Sequence, residues 1–304
     1  MPENAGTTIG FVGLGHMGGN MAARLLAAGY DVCGTAQDKA AAQWLVMRGL
    51  RWRDTPREVA QAGGAVFTSL PDDAAVEAVA GGPDGLLAGL GRGAIWVDMS
   101  TISPRGSRAL AESVRRCGAT MLDAPVSGSV PQVQAGTLTI MVGGDLGAHD
   151  RVAPILRELG TATHIGANGQ ALTLKLAINI SLAVQMLAFS EGVLLAERDG
   201  IDRRLVVDVM SSSAIGSPML KARAPLVVQP SDEAWFAMRL MRKDIGLALA
   251  AAAERGIELP SAAIAERVLA RAGERGYDER DLASIAEVVG CDERPSGPAV
   301  ERSR

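Results

Sequence analysis

The sequence predicts an α/β domain followed by an all-helical domain, the two joined by a long interdomain helix. Three observations carry this. Short apolar runs alternate with helix-like stretches through the first half, the pattern of a parallel sheet covered by helices. The first apolar run leads straight into Gly13-Leu14-Gly15-His16-Met17-Gly18. After Gly169 the alternation stops, and only helical periodicity remains.

Strands are expected at Ile9 to Leu14, Asp31 to Thr35, Ala65 to Ser69, Ala94 to Asp98, Thr120 to Leu122 and Thr139 to Val142, with helices such as Gly18 to Ala28 and Pro104 to Cys117 between them. The second half reads as a helix from about Ala171 to Arg198, then helices near Arg203 to Met210, Asp232 to Arg255 and Ser261 to Arg275. Domain boundaries are expected at 1–166, 167–292 and a disordered tail, 293–304, that is almost without apolar residues.

The bulk composition excludes several classes. At 304 residues, 48% hydrophobic and 21% charged, the chain has enough apolar surface for an ordinary globular core. A formal charge of -4 leaves no broad basic face for a phosphate backbone, and 3% aromatics leaves few platforms for bases, so no nucleic-acid partner is expected. Three cysteines without CxxC spacing (Cys33, Cys117, Cys291) predict neither a disulfide framework nor a zinc site, and suit a reducing cytoplasm. The three histidines share no ligand spacing, so no metal is expected. Met1 to Thr8 lacks the basic-then-apolar order of a signal peptide. The most apolar segment, Leu176 to Ser190, contains Asn179, Ser181 and Gln185 and falls short of the roughly 20 residues of a bilayer span, so no membrane association is expected.

In the glycine run, Gly13 permits the tight turn, Gly15 lets the backbone approach a pyrophosphate, and Gly18 allows close helix packing, with the helix amino terminus facing the negative charge. A Rossmann-type dinucleotide site follows. The acid that would bind the ribose 2′-hydroxyl is missing: Ala36 occupies its place, and no arginine stands beside it in the chain to hold a 2′-phosphate. Asp38 is either a substitute or a solvated turn residue, and the choice between NAD and NADP stays open.

Asp98-Met99-Ser100-Thr101 sits at the carboxyl end of a strand, where open α/β sheets bind ligands, or is only an Asx or Ser/Thr cap ahead of Pro104. In Asp123-Ala124-Pro125-Val126-Ser127-Gly128-Ser129, a glycine flanked by serines after a strand turns amides and hydroxyls toward a carboxylate, or forms a plain loop. Lys175 lies among apolar neighbours on a helix that should be buried on most sides, where desolvation would lower its pKa toward neutrality and suit it to proton transfer; snorkelling to the surface is the alternative. Asn179, four residues on, shares its helix face. Lys243-Asp244, in a second helix, is either functional or a solvated charge pair.

Taken together these motifs resemble the β-hydroxyacid dehydrogenase family of 3-hydroxyisobutyrate dehydrogenase-like enzymes, over nearly the whole chain. The resemblance rests on GFVGLGHMG with Met21-Ala22, Leu70-Pro71, Asp98 to Thr101, Asp123 to Ser129 with Gly136-Thr137-Leu138, the lysine helix and Lys243-Asp244. It implies an NAD(P)-dependent oxidoreductase interconverting a small β-hydroxyacid and its semialdehyde, forming homodimers or homotetramers. It further implies that Lys175 and Asn179 are catalytic and that Ser127, Gly128 and Ser129 hold the substrate carboxylate. Gly13, Leu14, Gly15, His16, Met17, Gly18, Leu70, Pro71, Thr101 and Lys243 would bind the cofactor. Three positions depart from the family pattern: Ile178 replaces the first of two asparagines, Ser129 a glycine, and Ala171 a glycine. Imine reductases share the two-domain plan but generally lack the lysine. Some relatives without it bind the dinucleotide and do no chemistry.

Overall fold

A computed structural model describes residues 8–231 and 233–290. The readings made for 1–7, Asp232 and 291–304, including Cys291 and the tail, lie outside those residues. The described residues form two compact units. The first holds those up to Asn179 together with Lys243–Leu259, and the second holds Ile180–Arg242 and those from Pro260 on.

In the first unit, in chain order, stand β1 (Thr8–Val12), α1 (His16–Ala27), β2 (Asp31–Thr35), α2 (Gln43–Val46), β3 (Arg51–Trp52), α3 (Pro56–Ala62) and β4 (Ala65–Thr68). Next come α4 (Asp73–Ala80), α5 (Leu86–Gly89), β5 (Ile95–Asp98), α6 (Pro104–Arg116), β6 (Thr120–Asp123), β7 (Val126–Ser127), α7 (Val130–Ala135), β8 (Leu138–Gly143), α8 (Leu146–Leu159) and β9 (Gly160–Gly166). Among the described residues the strands make one sheet of order β3-β2-β1-β4-β5-β6-β8-β7, with β9 beside β8. Pairing is parallel through β6; β8 runs antiparallel to both β6 and β7. The order reverses between β1 and β4, which opens the crevice where such sheets take ligands.

The strands are apolar because helices cover both faces. Ile9, Phe11, Val32, Phe67, Ile95 and Leu122 fill one side with α1 and α8, and Val12, Val66, Trp96 and Met121 fill the other with α3 and α6. Thr55 caps α3 and Ser103 caps α6, each followed by a proline in the first turn whose missing N–H costs nothing there.

Three strands escape the sequence reading. β3 and β7 are two residues long, and β9 (Gly160–Gly166) is built from Gly, Thr, Ala and His with one branched apolar residue, so no hydrophobic run marks it.

Helix α9 (Gln170–Arg198) begins in the first unit and continues into the second. At 29 residues it is, by length and composition, apolar enough to cross a bilayer, although the apolar segment read from the sequence is shorter. The rest of the chain is helical: α10 (Arg203–Ser212), α11 (Pro218–Val228), α12 (Met238–Ala253), α13 (Pro260–Glu274), a 3-10 turn at Leu282–Ser284 and α14 (Ile285–Val288). Helix α11 is absent from the sequence reading, because prolines stand at both its start and its interior (Pro225). In the second unit, buried Arg223 pairs with Asp281 at 2.6 Å, and Asp281 also accepts from the Phe236 N–H at 3.0 Å.

Candidate active site

The glycine turn joins β1 to α1 at the point where strand order reverses. Gly13 has φ +90°, and a Cβ there would lie 2.4 Å from the Ser69 carbonyl oxygen. At Gly18 a Cβ would lie 1.9 Å from the Gly13 carbonyl, so only glycine lets α1 close onto β1. Gly15 differs, since a Cβ there would meet nothing within 4 Å. Its glycine is not required by packing, and it leaves open backbone at the amino end of a helix with no acidic residue in its first turn and no side chain capping it. This is a cradle that fits a pyrophosphate. Leu14 is buried in the core, so its side chain faces away from a ligand, whereas His16 is exposed.

At the ribose position Asp38 accepts from the Ala40 and Ala41 N–H groups at 2.8 and 3.1 Å. Of the two readings of Asp38, the turn is the one its hydrogen bonds show. Thr35, one residue before Ala36, ends β2.

The carboxyl ends of β4, β5 and β6 carry a buried polar ladder. Thr68, Asp98 and Asp123 stand in register across the three strands. Asp98 Oδ1 accepts from Thr68 Oγ1 at 2.7 Å and Ser100 Oγ at 2.6 Å, and Ser100 Oγ in turn accepts from the Leu70 N–H at 2.9 Å. The Leu70-Pro71 turn is therefore hung on Ser100, a residue to which the sequence reading gave no role. Asp123 Oδ1 accepts from Gly169 N–H at 2.9 Å and Asn168 Nδ2 at 3.1 Å, which anchors the start of α9. Burial raises the pKa of both aspartates, opposed at Asp98 by Ser100 and Thr68 and at Asp123 by Gly169 and Asn168.

Lys175 and Asn179 follow on α9. Thr173, Leu174 and Ala177 are exposed, so the helix is not buried on most sides here; the buried face holds Ala171, Leu172, Lys175, Leu176 and Asn179. Lys175 is 9% exposed and does not snorkel. Its Nζ donates to Asn179 Oδ1 at 2.9 Å, and Asn179 Nδ2 donates to Asp244 Oδ2 at 2.6 Å. Desolvation lowers the Lys175 pKa to about 8, with Asp244 pulling it up and Lys243 pushing it further down. Lys243-Asp244 is not a solvated pair: Asp244 is 2% exposed. Lys243 Nζ lies 2.8 Å from Asp244 Oδ1 and donates to the Thr101 carbonyl. α9, α12 and the β5–α6 loop are thus joined through one polar chain.

Ser127 belongs to β7, paired with Thr139, and Gly128 has φ +130°, which requires glycine. Ser129 is committed elsewhere. Its N–H and hydroxyl donate to Gln132 Oε1 at 2.9 and 3.0 Å, in a capping box that starts α7. Where the resemblance supplies a bare glycine, a side-chain carbonyl already occupies these donors. Gln132 was not singled out from the sequence. Among the described residues no cluster of three or more potential metal ligands occurs.

The chain is similar over most of its length to known dehydrogenases and reductases. Residues 8–167 match the family model described as the NAD binding domain of 6-phosphogluconate dehydrogenase, and residues 169–289 match that described as the NAD-binding of NADP-dependent 3-hydroxyisobutyrate dehydrogenase. The chain is 35% identical over 270 residues to 3-hydroxyisobutyrate dehydrogenase of Pseudomonas aeruginosa, covering 86% of this chain and 91% of that protein. It is 33% identical over 282 residues to 2-hydroxy-3-oxopropionate reductase of Escherichia coli, covering 92% and 96%. The solved structure of Mycobacterium tuberculosis 3-hydroxyisobutyrate dehydrogenase with L-serine superposes with a TM-score of 0.82 at 30% identity, covering 93% of this chain and 99% of that one. The chain belongs to the β-hydroxyacid dehydrogenase family of NAD(P)-dependent oxidoreductases, with an amino-terminal Rossmann domain and a carboxyl-terminal helical domain linked by α9.

Proposed function

We propose that the protein interconverts a small β-hydroxyacid of the 3-hydroxyisobutyrate kind and its semialdehyde, with Lys175 as general acid and base. The observation that carries this reading is the Lys175 amine, buried, bonded to Asn179 Oδ1 and brought to a pKa of about 8. An ordinary surface lysine near 10.5 is too rarely neutral at physiological pH to accept a proton; at a pKa of 8 about a tenth of the molecules hold a free amine at pH 7.

A nicotinamide dinucleotide, when bound, would supply the hydride acceptor in oxidation and the hydride donor in reduction. Around that step, neutral Lys175 takes the proton of the substrate hydroxyl during oxidation, and its ammonium returns it to the carbonyl oxygen during reduction. Asn179 holds the amine in place. Ser127 and Gly128 receive the substrate carboxylate, and Ser129 joins them only if its N–H and hydroxyl leave Gln132 Oε1. Gly13, Gly15 and Gly18 would hold the pyrophosphate, and Leu70, Pro71, Thr101 and Lys243 would line the nicotinamide side. A homodimer or homotetramer in the cytoplasm completes the reading, resting on the resemblance and the cysteine usage.

Nicotinamide absorbance at 340 nm tests this, with NAD and NADP separately, against 3-hydroxyisobutyrate, 3-hydroxypropionate, glycerate, threonate and the matching semialdehydes. Turnover with one of them that falls by about 100- to 10,000-fold in Lys175→Ala, with cofactor affinity kept, supports the reading. Near-normal turnover in a folded Lys175→Ala variant removes Lys175 from the chemistry. Turnover of cyclic imines alone, or cofactor binding with no turnover, replaces the reading with imine reduction or a non-catalytic role.

A further inference from the structure

We infer that Asp244 is a positioning residue for proton transfer: held by Lys243, its carboxylate orients the Asn179 amide so that the amide oxygen faces Lys175. The inference rests on the proposed role of Lys175.

A carboxamide has two nearly isosteric orientations, and its neighbours choose between them. Ionised carboxylate only accepts, and ammonium only donates. With Asp244 Oδ2 at 2.6 Å from Asn179 Nδ2, the amide nitrogen is committed to Asp244 and its oxygen is left for Lys175 Nζ, at 2.9 Å. The reverse orientation would set oxygen against carboxylate and N–H against ammonium, two losses in a place where Asn179 is 0% and Asp244 2% exposed. Asp244 is itself held from the other side, because Lys243 spans Asp244 Oδ1 at 2.8 Å and the Thr101 carbonyl. An amide anchored at one end directs its other end, so the Lys175 amine is aimed by a residue it does not touch through a hydrogen bond.

The charge balance of the chain has a consequence of its own. With Lys175 protonated the group of buried Lys175 and Asp244 with half-buried Lys243 carries a net positive charge; with Lys175 neutral it carries a matched pair. Burial therefore favours the state in which Lys175 has released its proton. Asp244 and Lys243, both on α12, are the charged groups that act on Lys175.

The test uses the full chain and reads the ionisation of Lys175 by pH-dependent acylation of its amine, which needs no substrate, alongside turnover. Asp244→Asn is expected to lower kcat about 10- to 100-fold with less than threefold change in the acid KM, and to move the Lys175 midpoint to lower pH because the carboxylate's attraction is gone. The double variant Asn179→Ala/Asp244→Asn is expected to lose no more kcat than Asn179→Ala, since residues acting as one unit are not additive. Asp244→Glu, which keeps the carboxylate, is expected to stay closer to the native midpoint than Asp244→Asn. If Asp244→Asn does not fold, Lys243→Met serves, with the midpoint expected to rise. A midpoint that stays put in the folded variants, or losses that multiply in the double variant, overturns the inference. Absence of turnover by the native enzyme across the acid panel bears on the proposed function alone, because the acylation midpoint is measured without substrate.

Discussion

Lys175 and Asn179 stand one helical turn apart on α9, Nζ to Oδ1 at 2.9 Å, and this bond holds a buried amine in a fixed position. The (i, i+4) spacing makes the contact available to any helix. Burial gives it chemical consequence, because desolvation brings the amine to a pKa of about 8.

The first expectation concerns pH. Oxidation needs the neutral amine, so its kcat should rise with pH through about 8 and then level; reduction needs the ammonium and should fall over the same interval. Initial rates in both directions between pH 6 and 10 check this. Parallel profiles in the two directions would assign the ionisation to another group.

A second expectation is that Lys175 costs stability. Between the free value of 10.5 and the folded value of about 8, the unfolded chain binds the extra proton, so native stability rises with pH across that window. Below it, the buried ammonium costs about 3 kcal/mol. Lys175→Met removes that cost but leaves Asn179 Oδ1 without its donor, a loss of about 1–3 kcal/mol. The variant should therefore be as stable as the native protein or up to about 2 kcal/mol more stable at pH 7. Its advantage should shrink toward pH 10.5, as read by urea unfolding at several pH values.

Gly15 and Gly18 should part company on substitution. Gly15→Ala meets no protein atom within 4 Å, so melting temperature should hold while cofactor affinity falls about tenfold or more, roughly 1.4 kcal/mol. Gly18→Ala drives a methyl into the Gly13 carbonyl and should destabilise the fold itself. Thermal unfolding and cofactor titration of both variants separate the two effects.

Ser100→Ala should loosen the cofactor side, including the Leu70 segment that packs on Gly13. Its hydroxyl links Asp98 Oδ1 to the Leu70 N–H, so the variant leaves that N–H unpaired, at about 1–3 kcal/mol. We expect lower stability and about a 5- to 50-fold weaker cofactor dissociation constant, measured by quenching of tryptophan fluorescence. Unchanged affinity would mean that the Leu70-Pro71 turn holds its place without the serine.

Local chemistry alone determined much of this protein. A glycine run between an apolar strand and a helix, strand-forming runs at Asp31–Thr35 and near Thr120, and prolines behind serine or threonine caps all act through neighbours a few residues away, and they are legible one window at a time. So is Lys175 as an unusual charge on an apolar helix, and the reading stops at its surroundings, since apolar neighbours predict a helix buried on most sides where Leu174 and Ala177 are exposed. Tertiary structure alone decided what a side chain meets across the chain. Asp244 reaches Asn179 over a separation of 65 residues, Ser100 supports Leu70 from the loop after β5, and Asp123 ties down the start of α9. β9 pairs along its length with β8 although no hydrophobic run marks it. Hydrogen bonds and burial depend on distance in space, which periodicity does not encode, so the sequence singled out Lys175 and Asn179 and the fold supplied Asp244 behind them.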